Sequence, residues 1–122
     1  MILVDTSVWI EHLRAGSDRL KTLLFDQQVF CHPFVIGELA YETLQKRREI
    51  LTMLNALPEA HLLEHEEVMS FLKARHSYGR GIGWVDAHLL ASTLLTGCVI
   101  WTFDKPLRRA AAALNVLGER SD

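Results

Sequence analysis

Asp5, Glu38, Asp86 and Asp104 are the side chains in this sequence that could do chemistry together, and each stands beside an apolar run. Asp5 closes Ile2-Leu3-Val4, and Asp104 closes Val99-Ile100-Trp101-Thr102-Phe103. Glu38 lies inside Phe34-Val35-Ile36-Gly37-Glu38-Leu39-Ala40, with no basic residue three or four positions away. Glu42, in contrast, has Lys46 four residues on, the spacing of an ordinary surface ion pair. Asp86 opens the most apolar segment, Trp84-Val85-Asp86-Ala87-His88-Leu89-Leu90. A first-turn acid gains only about 0.3–1 kcal/mol from the helix dipole. Desolvating an ionised carboxylate with no compensation costs more than that. Taken singly, Asp5 and Asp104 read as helix N-caps, Asp104 with Pro106 just behind it. Taken together, four converging acids without basic partners repel one another and raise their own pKa values. A divalent cation removes that penalty, and all-oxygen donors select a hard ion, Mg²⁺ or Mn²⁺. Such a centre clamps phosphate oxygens and activates water for in-line attack, the logic of metal-dependent nucleases.

The elements that must position these acids follow from the hydrophobic pattern. Short apolar runs at 2–4, 29–31, 61–63 and 99–101 read as strands. Between them, helical periodicity predicts a helix opening near Thr6-Ser7 and others over 18–26, 34–47, 49–57, 66–76, 84–96 and 105–114. The segment from Trp84 is apolar nearly all round, as a central buried helix would be. Strands alternating with helices imply parallel pairing, so the expected fold class is α/β: a helix-rich sandwich around a parallel sheet of four to five strands. In such sheets ligands bind at the carboxyl ends of the strands, where Asp5 and Asp104 both emerge. Thr102, two residues before Asp104 on an extended segment, should point the same way.

Four blocks, Val4-Asp5-Thr6-Ser7-Val8-Trp9-Ile10, Ile36-Gly37-Glu38-Leu39, Gly83-Trp84-Val85-Asp86-Ala87-His88-Leu89-Leu90-Ala91 and Trp101-Thr102-Phe103-Asp104, resemble the acidic blocks of the PIN-domain family. Within it the chain resembles the VapC toxins, the ribonuclease half of VapBC toxin–antitoxin pairs. The resemblance covers essentially the whole chain, in the family's order and spacing. It implies a single PIN domain over residues 1–122, an α/β/α sandwich, and Mg²⁺- or Mn²⁺-dependent cleavage of RNA. By position, Asp5, Glu38, Asp86 and Asp104 match the family's acidic cluster, and Thr102 its polar residue beside the last acid. Asp5, Asp86 and Asp104 are then the expected metal ligands, with Asp104 reaching the ion directly or through water. Glu38 is expected to be a further ligand or the group that orients water. The resemblance also implies a homodimer and a VapB-like antitoxin whose tail fills the groove near the acids.

Other constellations carry less. His61-Leu62-Leu63-Glu64-His65 fits a zinc-peptidase pattern, but that chemistry needs a helix and a distant third ligand. A receiver-type phosphoacceptor wants an acidic pair after the first strand, where only Asp5 stands. A module that binds RNA or protein without cutting has no use for clustered, repelling carboxylates. The 122 residues, 49% hydrophobic and 23% charged, argue against a disordered or fibrous chain. Thirteen basic against fifteen acidic residues announce no general affinity for nucleic acid, yet without the four site acids the balance turns positive. Arg80, Lys105, Arg108 and Arg109, next to the proposed site, are the candidate RNA contacts, whereas Lys46-Arg47-Arg48 reads as a solvated face. Trp9 and Tyr78 are open to base stacking or to core and interface packing. Cys31 and Cys98 sit in apolar runs, as buried free thiols do. With no run long enough to span a bilayer and no signal-peptide core, the expected location is the cytoplasm.

Overall fold

The computed structural model describes residues 1–75 and 81–118. Strand β1 (Ile2–Val4) is buried along its length and stands at the centre of a parallel sheet. Its neighbours are β2 (Val29–Phe30) and β3 (Val99–Trp101), with Ile2 opposite Val29 and Val99, and Val4 opposite Trp101. Cover on both faces is why these strands read as unbroken apolar runs rather than as alternation.

The helices are α1 (Thr6–Ala15), α2 (Asp18–Phe25), α3 (Pro33–Tyr41), α4 (Arg47–Ala56), α5 (His65–Arg75), α6 (Trp84–Thr96) and α7 (Lys105–Ala113). Their starts are chemically marked. Asp5, Ser17, His32 and Asp104 each accept a backbone N–H of the first turn, from Ser7, Leu20, Phe34 and Leu107. Pro33 and Pro106 occupy first-turn positions where no N–H is missed. Helix α6 is buried without interruption from Ala87 to Thr93, the central helix its composition predicts. It joins Leu3, Val4, Leu20, Leu39, Leu54, Ile100 and Leu107 in the core, where Trp9 and Trp101 are also wholly buried. Cys31 and Cys98 are free and buried. No helix among the described residues is long and apolar enough to cross a membrane.

Three expectations are corrected. The sheet has three strands, not four to five, and each outer edge carries one further residue in a single parallel bridge, Glu59 to Cys31 and Leu117 to Ile100. Residues 61–63 form no strand because the backbone donors beyond Ala60 go elsewhere. His61 N–H donates to Thr96 Oγ1 (2.9 Å), and Glu64 N–H donates to Glu67 Oε1 (2.8 Å) at the start of α5. Helix α3 ends at Tyr41 rather than near residue 47, and Lys46 takes a left-handed conformation (φ 55°) that no right-handed helix can contain. Glu42 and Lys46 therefore flank a turn and lack the one-helix geometry of a surface ion pair.

Candidate active site

Pairing of β1 with β3 sets the place of Asp5, whose N–H donates to Trp101 O (2.9 Å). Its side chain is buried, and every donor it receives from the described residues ends on Oδ2: Thr102 Oγ1 at 2.7 Å, Ser7 Oγ at 2.8 Å and Ser7 N–H at 3.4 Å. Oδ1 accepts nothing among the described residues. The two hydroxyls lie 3.3 Å apart and also tie down the loop that follows β3: Ser7 Oγ accepts from Phe103 N–H and Thr102 Oγ1 from Asp104 N–H, both at 3.0 Å.

The other three acids follow the same economy. Asp104 caps α7 with one oxygen, Oδ2, which accepts from Leu107 N–H at 3.0 Å. Glu38 accepts from Thr6 Oγ1 at 2.6 Å through Oε1. Both residues are exposed, so Glu38 is not the buried acid its apolar surroundings suggest, because it lies on the solvent side of α3. Asp86, in the first turn of α6, is half-buried. Burial, followed by repulsion from Asp5, Asp104 and Glu38, pushes its carboxyl up to about 6, against a smaller opposing effect of the Gly83 N–H. The four acids thus share one electrostatic field, and the ion pair Arg14–Glu11 lies outside it.

Thr102 is fully buried and uses its proton on Asp5, not on the side chain of Asp104, because its hydroxyl faces back towards β1. Lys105 and Arg109 are exposed beside Asp104. Arg108 is half-buried, with Nη1 donating to Thr102 O at 3.2 Å, which ties it to the loop carrying Thr102 and Asp104. Arg80 and Tyr78 lie outside the described residues. Of the rival zinc pattern, only His65 reaches a helix. Sequence reasoning passed over Thr6 and Ser7, which hold Glu38 and Asp5. The signal was two hydroxyl residues directly after a strand-end acid, where the chain turns into a helix and their side chains face back.

The donor set suits a hard cation: among the described residues, Asp5, Asp104 and Glu38 each keep one oxygen that accepts no donor, and no cation relieves Asp86. As the acids stand, no three His, Cys, Asp or Glu among the described residues are compact enough to cage an ion.

The family model for the PIN domain matches residues 2–113. The chain belongs to the PIN-domain family. Within that family it is a relative of VapC: it is 48% identical over 117 residues to Ribonuclease VapC32 of Mycobacterium tuberculosis (strain CDC 1551 / Oshkosh), covering 95% of this chain and 94% of the relative. The same figures hold for Ribonuclease VapC32 of strain ATCC 25618 / H37Rv. The PIN fold recurs in the crystal structure of FitAcB from Neisseria gonorrhoeae, with a TM-score of 0.61, 20% identity, and 92% and 94% of the two chains covered. FitAB bound to an IR36 DNA fragment gives a TM-score of 0.61 at 19% identity, over 92% and 91% of the chains. At that identity the likeness bears on the fold alone.

Proposed function

We propose that residues 1–122 act as one PIN domain, a Mg²⁺- or Mn²⁺-dependent endoribonuclease. In this reading it is the VapC-like toxin of a type II toxin–antitoxin pair, and it stops translation by cutting RNA in the cytoplasm. The observation that carries the reading is the half-buried Asp86, raised by its burial and then by three other carboxylates, each with an oxygen that accepts no donor among the described residues. The name of the 48%-identical relative, a ribonuclease, favours RNA over other phosphodiesters.

Asp5, Asp86 and Asp104 would hold the ion. Bound there, it supplies positive charge to the scissile phosphate and lowers the pKa of water. Glu38, with Oε2 open, either adds a ligand or orients the attacking water by accepting its proton. Ser7 and Thr102 hold Asp5 in place by donating to its Oδ2, which leaves Oδ1 for the ion. Lys105 and Arg109 hold the phosphate backbone, and Arg80 and Arg108 are the further cations assigned to it. The partners in this reading are an RNA substrate, a VapB-like antitoxin whose tail covers the acids, and a second copy in a homodimer.

The test is incubation of antitoxin-free protein with total cellular RNA in Mg²⁺, Mn²⁺ or EDTA, with Asp86→Asn alongside. Discrete fragments are expected with either ion and none with EDTA. Asp86→Asn should cost more than the roughly 10–100-fold typical of changes to a ligand's supporting partners. Cutting that survives EDTA or the substitution overturns the metal mechanism. RNA bound but never cut would instead make this a binding module.

A further inference from the structure

A connected series of rings runs between α5, α6 and α3, the last two being the helices that carry Asp86 and Glu38, and has no part in the site described above. His65 meets Trp84 at 4.9 Å between centroids, Trp84 meets His88 edge-on at 4.7 Å, and His88 meets Phe34 at 4.8 Å. Phe34 then meets His32 at 5.1 Å. The series interleaves with the acids along the chain. Phe34 is one helical turn before Glu38 on the same face of α3, which links the series to that acid. Trp84 lies in the same first turn of α6 as Asp86, two residues before it and so on a different side of the helix.

One end is anchored and the other is open. His32, 2% exposed, caps α3 by accepting Phe34 N–H on Nδ1 at 3.0 Å. Burial, and to a lesser degree His88, pushes His32 down to about 4, and burial lowers His88 as well. Trp84 and Phe34, however, stand 38% and 37% exposed, whereas Trp9 and Trp101 are wholly buried. Packing on both sides, tilted against His65 and edge-on against His88, holds the indole without covering it, so little side-chain entropy is left to lose when a flat partner arrives. The carboxylates can hold a phosphate through an ion but offer nothing to a base. A ring at the rim supplies that, because every base has a π-face.

We propose that Trp84, braced by His65 and His88 and flanked by Phe34, stacks on an unpaired RNA base adjoining the phosphodiester held at Asp86. This deepens the nuclease reading and rests on it: Trp84 would be the residue that positions the strand across the acids.

The three tryptophans make the test direct, since Trp84 alone among them is exposed. Antitoxin-free full-length protein is titrated with a random-sequence single-stranded 12-mer RNA, with Ca²⁺ in place of Mg²⁺ to slow cutting. Tryptophan emission should quench saturably. Trp84→Phe should abolish the quench and keep most of the affinity. Trp84→Ala should weaken binding about tenfold, the scale of base–ring stacking, and raise KM more than it lowers kcat. Circular dichroism checks that both variants fold, which an exposed first-turn position favours. Absence of quenching at saturation, or Trp84→Ala binding as tightly as wild type, overturns the proposal. So does an Ala variant that changes only the oligomeric state by gel filtration. If wild type cuts RNA and Trp84→Ala is unaffected, only the stacking role falls. If RNA quenches Trp84 but is never cut, the stacking role stands and the nuclease reading falls.

Discussion

Thr102 Oγ1 is enclosed between two acids, donating to Asp5 and accepting from the Asp104 N–H. Thr102→Val keeps the shape and removes both bonds, one of them to a charged group, a loss of about 1.5–3 kcal/mol. The expected result is a lower melting temperature together with lost RNA cleavage, and Thr102→Ser should recover much of both. If Thr102→Val melts lower yet cuts normally, the hydroxyl only supports the fold. Asp86 makes a second prediction, through pH. Its carboxyl rises from 3.8 to about 6 on folding, by burial first and then by Asp5, Asp104 and Glu38. A raised native pKa means stability that is full below about 4 and lost as pH climbs through about 6. In EDTA, the melting advantage of Asp86→Asn over wild type should therefore grow between pH 4 and 7, and a constant difference would refute it. Cation binding should weaken as pH falls below about 6, where the proton competes for the same oxygens. At this scale the four acids were legible, because a carboxylate among apolar neighbours is conspicuous. Thr6 and Ser7 were not, since nothing in a hydroxyl residue's neighbours says which acid it will face.

The elements were legible wherever their ends carry local chemistry. Ser17, Asp104, Pro33 and Pro106 mark helix starts by side-chain bonds or ring geometry that need no partner elsewhere. The sheet edges were not legible, because a strand exists only by pairing. Residues 61–63 have a strand's composition, yet His61 N–H goes to Thr96, and the next residue after them, Glu64, donates to Glu67 at the start of α5. The opposite edge depends on a close approach instead. Gly118 N–H donates to Ile100 O at 2.6 Å, and a Cβ at Gly118 would lie 2.8 Å from both Ile100 O and Ile2 Cδ1. Gly118→Ala should destabilise the protein by roughly 1–3 kcal/mol, the usual cost of overpacking. Thermal melts would show it, and an unchanged melt would mean that this edge gives way freely.

For the whole molecule, charge is distributed more tellingly than it is totalled. The chain carries thirteen basic and fifteen acidic residues, but outside the four site acids the balance is thirteen to eleven. Lys105 and Arg109 are exposed at the end of the sheet where Asp5 and Asp104 emerge. Replacing both with Ala should raise KM for RNA and flatten the salt dependence of binding by about 0.7 per lost phosphate contact. Binding measured across a salt series decides it, and an unchanged slope would remove both residues from the RNA path.

The sequence by itself determined the α/β class, most of the helix starts, the buried α6 and the four acids of the candidate site, because periodicity, caps and misplaced charge are written within a few residues of one another. Only the tertiary structure decided that three strands pair, that Thr102 and Ser7 both turn to Asp5, that Glu38 is exposed, and that Trp84 and Phe34 share one series of rings. Each of these depends on atoms brought together from distant parts of the chain. Ser7 and Thr102 are 95 residues apart in sequence and 3.3 Å apart in space.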